Sequence, residues 1–294
     1  MRKYAVVVAC AALLLAAALA GAQTKVDETR PLAATGTVEV KTIAGSVDVV
    51  GWGKDQVQIT GMLDQNVERL EIEGDRQNLE ISVEVKHGAH RDMAAELTIN
   101  VPTGATVELS TVSADLSVKN VAGGAELHSV SGSIKVADRP SSLEVESVSG
   151  DTTVAFAPDR SDLESVSGDI EIEDGTGNLD ASVVSGSITV RGGQFDGASL
   201  ESVSGEIRWK AAIAGRGPFE MESMSGSVAV AVPASIAADF KVTTFSGSIS
   251  SDLGPAPERT SKYGPGKELN FTAGSGGPRV SLSSFSGSVK ITTR

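Results

Sequence analysis

The chain has little of what most catalytic sites are built from. Among its 294 residues there are one cysteine and three histidines, and aromatic residues make up only 4%. The single cysteine, Cys10, lies in an apolar N-terminal run, so the rest of the chain offers no thiol, no disulfide and no cysteine metal ligand. Positive charge is also short: 25 Lys and Arg against 38 Asp and Glu give a net charge of −13. No basic stripe can neutralise phosphates, which excludes nucleic acid as a partner. No Walker loop, GxGxxG, GxSxG, SxxK or HExxH motif occurs, and neither an EF-hand nor a Gly-Gly-x-Gly-x-Asp calcium repeat is present.

Long hydrophobic runs are limited to one. Ala5 to Leu19 follows Arg2 and Lys3 and leads into Ala20-Gly21-Ala22, which reads as a signal peptide over residues 1–22 with Gln23 as the mature N-terminus. The run is too short for a transmembrane helix, and Ala22 stands where a lipoprotein would need cysteine. Loss of Arg2 and Lys3 takes the charge to 23 − 38 = −15. The expectation is an exported, acidic chain, periplasmic or extracellular and cell-surface, with no transmembrane segment after cleavage.

What the sequence has in abundance is a repeat. The unit Ser-apolar-Ser-Gly-small/acidic-apolar has clear copies at 129–134, 165–170 and 202–207 and near copies at 147–152, 183–188, 223–228, 244–249 and 284–289. Diverged copies stand at 42–47 and 111–116. The repeat glycines are Gly45, Gly132, Gly150, Gly168, Gly186, Gly205, Gly226, Gly247 and Gly287, with Ala114 in the glycine place of one copy. From 114 onward the steps are 18, 18, 18, 18, 19, 21, 21 and 40, the last close to two periods.

Counting from the glycine as zero, apolar residues fall at −5 (Leu109, Leu127, Val145, Leu163, Leu200) and −2 (Val130, Val148, Val166, Val203, Phe245). They recur at +2 (Ile134, Ile170, Ile188, Ile207) and +4 (Val136, Val154, Ile172, Val190). Alternation by two is a strand signal, and no window sustains a helical period. The odd step from −5 to −2 predicts a bend or bulge near −4 or −3. The expected fold is all-β: a parallel β-solenoid, or single-stranded β-helix-like stack, of 18–21-residue coils about 4.8 Å apart, each resting on its sequence neighbour. Glycine suits a tight corner where a Cβ would strike the next coil. The serines at −3 and −1 read as turn chemistry, bonding along the stack or to local backbone.

Longer patterns accompany the repeat. Leu97-Thr98-Ile99-Asn100-Val101-Pro102 leading to Leu116 parallels Val228-Ala229-Val230-Ala231-Val232-Pro233 leading to Ile249, and Gly36 to Val40 leads through Gly45-Ser46-Val47 to Gly51-Trp52. Together these resemble the bacterial putative-adhesin family of β-strand-repeat domains, a domain of unknown function, over residues 33–294. The resemblance implies an all-β repeat domain, exported or envelope-associated, and brings no catalytic residues with it.

The predicted organisation is a polar leader at 23–32, a less regular capping part at 33–105, regular coils at 106–250, an exposed Pro- and Gly-rich loop at 252–266 and final strands at 267–294. The loop would account for the missing repeat before Gly287, and Lys290 and Arg294 would blunt the last edge.

Candidate chemistry is sparse. His87 and His90 have a spacing that zinc could use only with further ligands, and a surface loop is the simpler reading. At −6 stand Glu108, Glu126, Glu144, Asp162 and Asp180, with Glu220 later, and at −4 stand Glu146, Glu164, Glu201 and Glu222. Both columns should face solvent on one sheet, with roughly 1–3 kcal/mol of repulsion per neighbouring pair before screening. They read either as a solvated face that keeps sheets apart, or as an acidic stripe for divalent cations such as calcium or for a cationic peptide. Lys119, Lys135, Arg191, Arg208, Lys210 and Lys290 mark a second, less acidic face, Trp209 reads as core, and Trp52 reads as a packing cap at a turn.

The functional expectation is a non-enzymatic envelope binding, adhesion or structural module, without catalytic residues or an identified cofactor, whose partner is a protein, peptide or glycan at the cell envelope. Two alternatives stand beside it: an envelope-stress protein binding cationic peptides or divalent cations, and a polysaccharide-active enzyme, which would need convergent carboxylates in a groove.

Overall fold

The structure is a computed structural model and describes residues 23–261 and 264–294; the expected signal peptide at 1–22 lies outside the described residues. Within them there are 24 strands and no helix, and the strands join into one large, mostly parallel sheet. No helix among the described residues is long and apolar enough to cross a membrane.

Three long strands link two ladders: Thr37–Trp52 and Thr106–Lys119 run through the repeat corner, and Ile188–Ser204 runs through the opposite corner from the second ladder of one coil to the first ladder of the next. The first ladder holds Gly124–Ser131, Ser142–Ser149, Arg160–Ser167 and Thr176–Ser185 in parallel register: Val145 faces Leu127 on one side and Leu163 on the other. The second holds the short strands Ile134–Val136, Thr152–Val154 and Ile170–Ile172 in the same way. Leu and Val at −5 and Ile and Val at +2 and +4 are buried together in one apolar cluster, so β-branched residues on a narrow pleated interior supply the core. Trp209, fully buried, fills the wider part of it between Phe195 and Phe219, with ring centroids 5.2 and 5.8 Å away.

At the corner the repeat glycines form a column. A Cβ on Gly150 would lie 2.2 Å from the carbonyl oxygen of Gly132, and one on Gly168 would lie 2.2 Å from that of Gly150. Gly150 also has φ +129°, where a side chain is strained. At three corners the aspartate after the glycine place ties one rung to the next: Asp115 Oδ1 accepts from the Ser133 amide at 2.8 Å, Asp151 from Asp169 at 3.0 Å and Asp169 from Ser187 at 2.7 Å.

Four expectations need correction. First, no bulge separates −5 from −2. Residues −6 to −2 keep strict alternation, and it breaks only at −1, so the −2 residues Val130, Val148, Val166, Val203 and Phe245 point outward and are about half exposed. The −3 hydroxyl, not an apolar side chain, takes the next inward place, because the chain leaves the sheet for its corner there.

Second, rungs do not follow sequence order throughout. The strands Arg279–Ser284 and Ser288–Thr293 are inserted between the rung 219–232 and the rung 238–251, and Gly247 meets the carbonyl of Gly287, which in turn stands over Gly226. Third, Lys290 and Arg294 therefore blunt no edge. The open edge of the second ladder is Ser248–Ser251, and the first ladder is covered there by the antiparallel strand Lys267–Ala273.

Fourth, the supposed polar leader contains a strand. Thr24–Pro31 pairs antiparallel with Gln56–Leu63, because Val26 and Leu32 have an apolar end of the stack to cover. At the same end Val67–Gly74 and Asn78–Val85 form an antiparallel hairpin beside Thr37–Trp52.

Candidate functional site: the outer face of the first ladder

Because alternation holds from −6 to −2, each strand of the first ladder presents three side chains outward, and parallel register turns each into a row. The −6 row is longer than the sequence suggested. Glu80 pairs with Glu39, Glu39 with Glu108, and the row continues through Glu126, Glu144, Asp162 and Asp180 without a break. Glu39 and Glu80 were missed because they precede the regular repeat. Beyond Asp180 the row passes Ser199 to Glu220.

The −4 row runs from Ser110 through His128, Glu146, Glu164, Ser182 and Glu201 to Glu222. Neighbours in such rows lie about 4.8 Å apart. The electrostatics record the crowding. Burial, then the charges of Glu126 and Glu39, push the Glu108 carboxyl above the usual range, and burial with Asp162 does the same to Asp180.

Two basic side chains relieve the rows locally. Lys41 Nζ lies 2.6 Å from Glu39 and 2.8 Å from Glu80, which lowers the Glu80 pKa. His128 bridges Glu126 at 2.8 Å and Glu146 at 3.1 Å. Burial works against its charged form, but the hydrogen bonds and charges of those two carboxylates outweigh it and raise its pKa above the usual value.

The −2 row is apolar throughout. It runs through Val112, Val130, Val148, Val166, Val184, Val203, Met224, Phe285 and Phe245, each 45–60% exposed. Its last two members stack ring on ring at 4.8 Å, 6° from parallel. Between the apolar row and the −4 row runs a shallow groove. One stretch of about 410 Å³ is bordered by His128, Glu146 and Glu164 on one side and by Val130, Val148 and Val166 on the other. A second, of about 370 Å³, continues past Glu201, Glu222 and Met224.

The serine row at −3 lies beneath, turned to the core. At the C-terminal end its hydroxyls donate to glycine carbonyls, Ser284 to Gly226 at 2.9 Å and Ser223 to Gly205 at 3.3 Å. The buried hydroxyls of Ser129, Ser147, Ser165 and Ser202 have no partner within the chain, so the expected bonding along the stack holds only in part.

Other candidates do not join this face. His87 and His90 lie at 87–90, outside the named strands. No group of three or more His, Cys, Asp or Glu side chains among the described residues is placed to hold a metal ion. Trp209 is buried, donating to the Ala211 carbonyl at 3.1 Å, and Trp52 donates to Gln56 O at 2.8 Å beneath Lys54. The face is thus an acidic shelf two rows wide beside an apolar row.

Comparison with solved structures gives similar chains of low identity. One is a putative adhesin from Parabacteroides distasonis, 16% identical, with a TM-score of 0.47 over 92% of this chain and 98% of that one. Another is a putative adhesin from Bacteroides fragilis, 12% identical, with a TM-score of 0.42 over 93% and 99%. A third is a putative lipid binding protein from P. distasonis, 12% identical, with a TM-score of 0.34 over 90% and 96%. No curated protein sequence matches. A family model does match, that of Toastrack DUF4097 over residues 32–292, and the chain belongs to that family.

Proposed function

We propose that the protein is an exported, non-enzymatic binding module of the cell envelope: a parallel β-solenoid of 18–21-residue coils that takes its ligand on the outer face of the first ladder. The ligand class this face fits is a cationic polypeptide segment with apolar side chains beside its basic ones. The observation that carries the reading is the nine-member apolar row, half exposed along its length, with carboxylates in the rows at −4 and −6 beside it.

A row of bare Val, Met and Phe is unusual on a solvated sheet, where the outward places are normally polar. Each exposed ion pair contributes only about 0–1 kcal/mol, so affinity would come from covering the apolar row, while the acidic rows would select a basic partner and speed encounter. Export is supported by the sequence of residues 1–22 alone.

The test is calorimetry with an 18-residue peptide of alternating Lys and Leu against the chain from Gln23, with a Glu/Leu peptide as control. Binding of the Lys/Leu peptide is expected to weaken about tenfold in V148S/V166S and to fall steeply between low and high salt. Equal binding of the acidic peptide, or no effect of the double substitution, would sink the reading.

A further inference from the structure

The strand order at the C-terminal end does not follow the repeat. Steps of 19 and 21 residues carry the stack from Gly186 to Gly205 and Gly226, and another step of 21 would set Gly247 directly on Gly226. Instead the last rung, 279–293, occupies that place. Its inward residues serve both sides: Val280 lies between Phe219 and Phe240, Leu282 between Met221 and Val242, and Ser284 between Ser223 and Thr244. In the second ladder Val289 lies between Val228 and Ile249 in the same manner. The named strands of the rung 238–251 pair with the inserted rung and with Lys267–Ala273, and none of them pairs with the rung 219–232.

Two features make this insert exchangeable. It is joined to the preceding strand by Gly274-Ser275-Gly276-Gly277-Pro278, in which Gly274 and Gly276 have φ of +59° and +78°, a hinge with little side-chain constraint. And the two rungs it separates match each other in register: through it, Phe219 corresponds to Phe240, Met221 to Val242, and Glu220 to Lys241, with Ser281 between the last two.

We infer that the gap between the rung 219–232 and the rung 238–251 is an acceptor site for the C-terminal rung, and that a second copy of this chain can fill it. Exchange of 279–294 between two chains remakes every ladder pairing of the single chain, because donor and acceptor segments are identical, so its cost is confined to the hinge and to association. The occupant is specified by the pattern V-x-L-x-S-F-S-G-S-V-x-I of residues 280–291, which supplies the buried residues, the corner glycine and Phe285 of the apolar row. The inference stands on strand order, the hinge and the register match of the flanking rungs, and does not depend on ligand binding.

The test uses the chain from Gln23, which carries no cysteine, in two single-cysteine forms, E220C and S281C. The two positions are register partners on adjacent parallel strands and face outward, a spacing a disulfide can bridge. A double variant, E220C/S281C, should close the bond within one chain, and failure to do so would overturn the strand order on which everything here rests. The two single variants, unfolded in denaturant, refolded together and oxidised, should give an interchain E220C–S281C disulfide. Its yield should rise with concentration, from a minor product near about 10 μM to an amount comparable with monomer approaching about 1 mM, the effective concentration of a short tether. If the double variant closes while the mixed refolding leaves only monomer at every concentration, the rung is not exchangeable and the inference fails.

Discussion

At the residue scale, the corner glycines and the face they create obey different physics. Gly150 is fixed by a backbone oxygen 2.2 Å from where a Cβ would stand and by its positive φ, whereas Gly53 has open space around it and no such φ. Gly150→Ala is therefore expected to cost about 2–4 kcal/mol in urea unfolding, and Gly53→Ala at most about 0.5 kcal/mol. Equal effects at both would remove the close-packed corner from the account. His128 is the titrating residue of the −4 row. Its folded pKa lies above its unfolded one, so the stability it contributes is present below the unfolded value of 6.5 and is lost as pH rises through the raised folded value. The melting temperature of the native chain should decline over that interval, and that of His128→Gln should not.

At the element scale, much of the architecture was legible and one face was not. The glycine period, the alternation at −5, +2 and +4 and the absence of helix all follow from residues that are buried or sterically confined, such as Leu127, Ile134 and Gly132. The column at −2 is deceptive in sequence because its apolar residues break the inward alternation as a bulge would, whereas in the fold they face water. Val130 and Val148 are as apolar as Val145, and only the parity of the strand distinguishes them. The contrast is measurable: Val145→Ala should cost about 2 kcal/mol, while Val148→Ala, with half its surface already in solvent, should cost about 0.5 kcal/mol or less. Glu39 and Glu80 escaped notice for another reason: Glu39 stands at −6 from Gly45 in a diverged copy of the repeat, and Glu80 is brought beside it by the pairing of Thr37–Trp52 with Asn78–Val85, a contact between distant segments that no local pattern encodes.

At the scale of the whole molecule, the sequence carried the stacking of neighbours through the middle of the chain, and tertiary pairing overrode it at both ends. The N-terminal strand Thr24–Pro31 and the inserted C-terminal rung each pair with segments chosen by end-covering and not by repeat order. What spans the middle is one face on which carboxylates are gathered into rows beside bare Val, Met and Phe. Amide hydrogen exchange of the chain with and without the Lys/Leu peptide locates the ligand on that face or elsewhere. The account predicts slowed exchange confined to the first-ladder strands Gly124–Ser131, Ser142–Ser149, Arg160–Ser167 and Thr176–Ser185, with the second ladder unchanged. Protection centred on Ile134–Val136, Thr152–Val154 and Ile170–Ile172, or spread evenly over both ladders, would contradict it.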